Sequence, residues 1–172
     1  MLIRQELIPG LTAGLIAGDT PRAGEVFPQP FVCEGAGVAR LMDELTGPCF
    51  RIVIDEYCDT PGLHAAASLR GFPVIVMQSG VSGEESGRAT ATGIRVREGD
   101  ELVRDWLASC GSHGALVRPD HYVFGSFVDA AAGIALIERA VHGFAESAET
   151  DRDPNHKVTP AVTGAAMQLS VS

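Results

Sequence analysis

The residues whose chemistry needs weighing first are Cys58, Asp59, Thr60 and Pro61, because their order places a thiol just ahead of a helix. Thr60-Pro61 is an N-cap and first-turn pair, and a helix N-terminus stabilises a thiolate through its aligned peptide dipoles. The neighbours work against that effect. Asp55, Glu56 and Asp59 place three carboxylates close in sequence, and negative charge raises a thiol pKa. No second cysteine shares the loop, and Cys33, Cys49, Cys58 and Cys110 have no C-x-x-C spacing. A degenerate thiol oxidoreductase or peroxidase using Cys58 is therefore the alternative reading, and otherwise no catalytic residue is assigned.

The remaining chemistry-bearing groups are sparser. The five histidines, His64, His113, His121, His142 and His156, lack metal-ligand spacing, so no metal is expected. Gly80-Val81-Ser82-Gly83 has the composition of a phosphate loop and Gly18-Asp19 that of a flavin-ribityl turn. Neither follows a strand with the Gly-x-Gly-x-x-Gly order that aims helix N–H groups at a pyrophosphate, so no cofactor is expected in this chain. Asp120 and His121 are sequential neighbours and point to opposite sides of a strand, so they do not form a dyad. Arg118 is the polar side chain to watch: in a turn it is paired locally or solvated, or it docks a carboxylate of another surface. A third reading, a free-standing small-ligand module, would have only Trp106 and the glycine-rich loop to work with, and Trp106 reads as core.

These groups need a scaffold, and the punctuation of the chain supplies one. Phe50 to Asp55 and Phe72 to Met77 are β-branched runs that fit buried strands, and between them Thr60-Pro61 opens a helix that Gly71 closes. Strand, helix, strand predicts a parallel βαβ unit. Ser79 to Arg88 reads as a flexible loop and Thr92 to Val96 as a short strand. Asp100 is expected to cap a helix whose apolar face carries Leu102, Val103, Trp106, Leu107 and Cys110. Leu116-Val117 and Tyr122-Val123 flank Arg118-Pro119-Asp120-His121, a type I turn joining two antiparallel strands. Ser126, with Asp129 three residues on, is expected to start a last helix with Ile134, Ile137, Val141 and Phe144 on its buried stripe. A small hairpin over Phe31 to Leu41 precedes all of this.

The resulting order, β-α-β-α-β-β-α, predicts an α/β thioredoxin-like mixed sheet flanked by helices over residues 31–145. Ser112-His113-Gly114 departs from a redox-active version, which carries a proline before the hairpin strand. Residues 1–30 hold four prolines and four glycines and read as an extended N-terminal arm, yet Leu11, Leu15 and Ile16 make it too apolar to hang free. Residues 146–172 read as a mobile C-terminal tail.

With 172 residues, 45% hydrophobic and 20% charged, the chain can bury one core. A net charge of −9 and only 13 basic residues argue against nucleic-acid or anionic-membrane partners. Leu7 to Ala17 is apolar but interrupted, and far shorter than the ~20 residues a bilayer span needs. The unpaired cysteines and the lack of a secretory signal predict a cytoplasmic protein.

Leu116-Val117-Arg118-Pro119-Asp120, followed by the Tyr122-Val123-Phe124 strand, resembles the last hairpin of the thioredoxin-like C-terminal domain of FAD-dependent aromatic-ring monooxygenases. The 3-(3-hydroxyphenyl)propionate hydroxylase type is the nearest in kind. Gly24 to Pro30 is similar to the linker entering that domain, and Leu41 to Phe50 to its first turn and strand. Where the family often has an aromatic-Arg pair, this chain has Phe124-Gly125. The resemblance implies a parent that hydroxylates a phenolic acid with FAD, NAD(P)H and O2. It implies for this chain a non-catalytic structural or assembly role against the flavin-binding domain or a second subunit of a homo-oligomer. Arg118, Asp120, Leu11, Leu15 and Ile16 are the interaction candidates.

Overall fold

The computed structural model describes residues 9–35, 37–79 and 93–150, with side chains of the last helix described as far as residue 143. Two strand runs with alternating inward positions build the centre of the sheet. In β3 (Arg51–Asp55) and β4 (Val74–Met77) almost every residue is buried, as expected of strands covered on both faces. They pair in parallel, Ile52 opposite Val74 and Ile54 opposite Val76, and α1 (Pro61–Leu69) connects them. The Thr60 hydroxyl accepts the Leu63 N–H, and Gly71 leaves the helix at φ +69°, so the start and stop signals act as expected.

Around this unit the other strands are β1 (Phe31–Cys33), β2 (Arg40–Leu41), β5 (Ile94–Glu98), β6 (Gly114–Val117) and β7 (Val123–Phe127). Together they form a seven-stranded mixed sheet in the order β2-β1-β5-β4-β3-β6-β7, with β5 parallel to β4 and β6 antiparallel to β3. The α/β class and mixed sheet expected from the sequence are present. Ile52, Ile54, Val74 and Val76 face one way, onto α1 and α3 (Ala130–Thr150). Val53, Ile75 and Met77 face the other way, onto Val103 and Leu107 of α2 (Leu102–Ser109). Alternation along each strand thus fills two cores, one on each face of the sheet.

Two capping expectations need correction. Glu101, not Asp100, precedes α2, at φ 52° and without a side-chain cap; the Glu98 carboxylate accepts the Val103 and Arg104 N–H groups at 2.9 and 3.0 Å instead. That side chain comes from the preceding strand, so no local cap pattern records it. Ser126 does not open α3. Its backbone belongs to β7, opposite Ala115, and Asp129 caps the helix by accepting the Ala132 N–H at 2.8 Å. Ladder pairing with β6 holds Ser126 extended, so the helix begins later. The strand expected over Thr92 to Val96 runs instead over Ile94–Glu98, and α3 continues past residue 145.

The arm lies along β7. Gly24 donates to the Val123 carbonyl, Val123 donates to Glu25, Phe27 donates to His121, and Ala17 donates to Phe124, with distances of 2.6 to 2.8 Å. The arm therefore satisfies an edge that would otherwise present open N–H and C=O groups. Gly24 sits at φ +82°, where a Cβ would collide with the Leu11 carbonyl oxygen. At Gly125 a Cβ would come within 2.7 Å of the Thr20 Oγ1.

Candidate functional site

β3 and β4 run in parallel and end side by side, and ligand sites of open α/β sheets form outside such carboxyl ends. A cleft of about 280 Å³ opens there, lined by Asp55, Glu56, Tyr57, Leu107, Ala108 and His113 among others. Asp55, the last residue of β3, organises it. Its Oδ1 accepts the backbone N–H groups of Tyr57 and Cys58 at 3.0 and 3.3 Å, which turns the chain sharply out of the strand. Its Oδ2 lies 2.7 Å from the His113 Nδ1. Antiparallel pairing of β3 with β6 brings the two residues together, since the Asp55 N–H donates to the His113 carbonyl at 3.0 Å.

His113 is held on a second side. Its ring lies against Tyr57 with centroids 4.4 Å apart and planes inclined by 34°. With Nδ1–H donated to Asp55, the Nε2 of this cleft-lining histidine has no hydrogen-bond partner among the described residues. Tyr57 is 69% exposed, an unusual position for a large aromatic residue. The Ser79 hydroxyl donates to Glu56 at 2.8 Å, and Arg104 pairs with Glu101 at 2.9 Å beside the opening. Chemically the cleft offers a carboxylate-oriented imidazole able to accept a proton or a hydrogen bond, next to an aromatic face.

Cys58 lies beneath this loop. It is fully buried, and its thiol is pushed up to about 12 by burial first and then by Asp55 and Asp129. A buried neutral thiol is not an activated nucleophile. The carboxylates responsible differ in part from those read from sequence. Asp59 is taken up by His64 at 2.7 Å and Arg95 at 2.6 Å, while Asp129 arrives from the start of α3.

Arg118 forms a two-pronged pair with Asp120, at 3.0 and 2.7 Å, and its remaining nitrogen donates to the Leu15 carbonyl at 2.9 Å. Both side chains are thus engaged within the chain and brace the arm. Leu11, Leu15 and Ile16 are half-buried, and Leu15 packs against the core beneath α3. Trp106 packs edge-on to Phe27 at 5.1 Å, with Arg22 over its face at 5.8 Å. Gly80-Val81-Ser82-Gly83 lies outside the described residues. Among the described residues no cluster of three or more His, Cys, Asp or Glu side chains could hold a metal ion, and no helix is long and apolar enough to cross a membrane.

The sequence reading left Asp55–His113–Tyr57 unassembled. Its one available signal was an acidic residue ending a buried strand; nothing local points from there to a histidine 58 positions on.

Residues 24–140, more than half of the chain, match the family described as the HcaD C-terminal domain. The chain belongs to that family. Two curated relatives of this HcaD C-terminal domain, from Burkholderia cenocepacia (strain HI2424) and Burkholderia orbicola (strain AU 1054), are both named 3-(3-hydroxy-phenyl)propionate/3-hydroxycinnamic acid hydroxylase. Each is 25% identical over 151 residues, which cover 83% of this chain and 28% of the relative. The chain therefore spans less than a third of their length. Two solved structures are similar over 72% of the chain: the flavin-dependent monooxygenase PieE in complex with FAD and substrate (18% identity, TM-score 0.44, 20% of that chain) and aklavinone-11 hydroxylase with FAD and aklavinone (16% identity, TM-score 0.49, 22% of that chain). Membership of the HcaD C-terminal domain family rests on the sequence match, which agrees with the resemblance carried by the Leu116 to Asp120 hairpin.

Proposed function

We propose that this chain is a non-catalytic C-terminal domain of an FAD-dependent aromatic hydroxylase, serving to pack against the flavin-binding domain or a second copy of the protein. The observation that carries this reading is the family match over 24–140 together with hydroxylase relatives more than three times as long as the matched segment. In this reading FAD, NAD(P)H and the phenolic acid are bound elsewhere in a parent protein that works in the cytoplasm. The domain contributes a rigid body whose own core is closed and whose arm leads toward the rest of the chain. Phe31 and Val38, 62% and 90% exposed on the β1–β2 hairpin, are apolar groups suited to a contact of that kind.

Two measurements test the proposal together. An immunoblot of source-cell lysate with an antibody against this domain should reveal a band several-fold heavier than 18.0 kDa. The purified 172-residue chain, given FAD, NADH and 3-(3-hydroxyphenyl)propionate, should oxidise no NADH above background. A native band at the chain's own mass, or substrate-dependent NADH oxidation, would overturn it.

A further inference from the structure

The geometry points to the Asp55–His113–Tyr57 cleft as a binding site for a small single-ring phenol, held by O–H donation to the His113 Nε2 and by contact of its ring with Tyr57. Each feature of the cleft selects one feature of the ligand. The His113 Nδ1 is committed to Asp55 at 2.7 Å, which leaves Nε2 as an acceptor and so calls for a ligand that donates. Asp55 also strengthens that acceptor, as a carboxylate does for any imidazole it orients. An acidic O–H, such as a phenol's, is a better match for it than an aliphatic alcohol.

The walls choose an aromatic ring. Tyr57, 69% exposed, holds its ring against His113, and Met77, Leu107 and Ala108 supply apolar contact. Size limits the ligand to one ring: about 280 Å³ falls at the small end of ligand sites, roughly 300–1,000 Å³, and is far short of a dinucleotide. Charge sets the last condition. Asp55 and Glu56 line the cleft, and Arg104, the one cation among the described residues of its lining, is paired with Glu101, so an anion is disfavoured beside the two carboxylates and the hydroxyl enters first.

This site is a property of the cleft alone and does not depend on a flavin partner, so phenol binding and the hydroxylase reading can fail separately. The test is an amide-resolved NMR titration of the full 172-residue chain with phenol, anisole and N-acetyltyrosinamide. Phenol should shift the amides around Tyr57 and His113 and bind at least tenfold more tightly than anisole, which has the ring but no donor. His113→Phe keeps an aromatic partner for Tyr57 and removes the acceptor; it should bind phenol no better than wild type binds anisole. Equal binding of phenol and anisole by the wild-type chain overturns the proposal, whether or not the variant folds. Shifts centred elsewhere do the same. Binding of N-acetyltyrosinamide tenfold tighter than phenol also overturns it, because the occupant would then be a tyrosine of a partner protein.

Discussion

β3 and β6 lie side by side in antiparallel register, and each end of the pair joins a charged residue of β3 to a histidine flanking β6. At one end Asp55 accepts from the His113 Nδ1, and the imidazole, which lines an open cleft, keeps its other nitrogen unengaged by the described residues. At the other end Arg51 donates to the His121 Nδ1 at 3.0 Å, Gln29 approaches the same nitrogen at 2.6 Å, and Arg51 is fully buried. Burial disfavours the charged guanidinium, and Asp43 and then Cys49 act in the opposite sense. Two positions on the same strands thus carry opposite tasks. The dyad at the cleft keeps one nitrogen unengaged, whereas the cluster around the buried Arg51 ties the arm, the Met42–Leu45 turn and the hairpin to one another. Histidine serves in both because its Nδ1 can either donate or accept, and the neighbour from β3, a carboxylate or a guanidinium, decides which.

The comparison is broken most severely at Arg51. Arg51→Ala should cost roughly 3–5 kcal/mol in urea denaturation, because it leaves a hole in the core and removes the positive charge that faces the half-buried Asp43. Arg51→Met should recover a good part of that, since it restores volume without a desolvated charge. His121→Ala should cost roughly 2 kcal/mol, from the two donors that it leaves unanswered. His121→Gly loses the same acceptor but also removes the β-carbon that the native residue holds at φ +67°, and should lose less.

At the open end the effects shrink. Asp55→Ala should cost about 1 kcal/mol through loss of the turn that holds Tyr57 and Cys58. It should also lower the Cys58 pKa, because Asp55 contributes to the upward shift. His113→Ala should change stability by less than about 0.5 kcal/mol. A His113 variant as damaging as the His121 variants would erase the distinction between the two ends.

Cys58 supplies a pH test of the same loop. Its folded value of about 12 exceeds the usual 9.0, so the folded chain holds the thiol proton more tightly than the unfolded chain does. The stabilisation is complete below pH 9 and is lost as pH rises toward 12. Native-state alkylation at pH 8 should spare Cys58 and modify the half-buried Cys33, Cys49 and Cys110; ready labelling of Cys58 would contradict its burial.

Much of the scaffold was legible because its signals are local. Thr60-Pro61, Gly71 and the β-branched runs at 50–55 and 72–77 fix α1 between β3 and β4, and Pro119-Asp120 fixes the hairpin. The failures at Asp100 and Ser126 share one cause: each had a suitable local pattern, but the Glu98 carboxylate and the β6 ladder competed for the same backbone groups. The cleft was illegible for a related reason. Asp55, Tyr57 and His113 are ordinary in their own neighbourhoods, and only the β3–β6 register makes them partners.

The sequence by itself determined the element order, the two-faced burial of the central strands, the excess apolarity of the arm and the family to which the chain belongs. Those follow from periodicity, turn chemistry and short motifs, all of which act within a few residues. The tertiary structure alone decided that the arm covers β7, that Cys58 is sealed, and that one histidine faces solvent while the other is locked on Arg51. These depend on which distant groups share a hydrogen bond or a low-dielectric interior, and that is set by strand register and packing rather than by neighbouring residues along the chain.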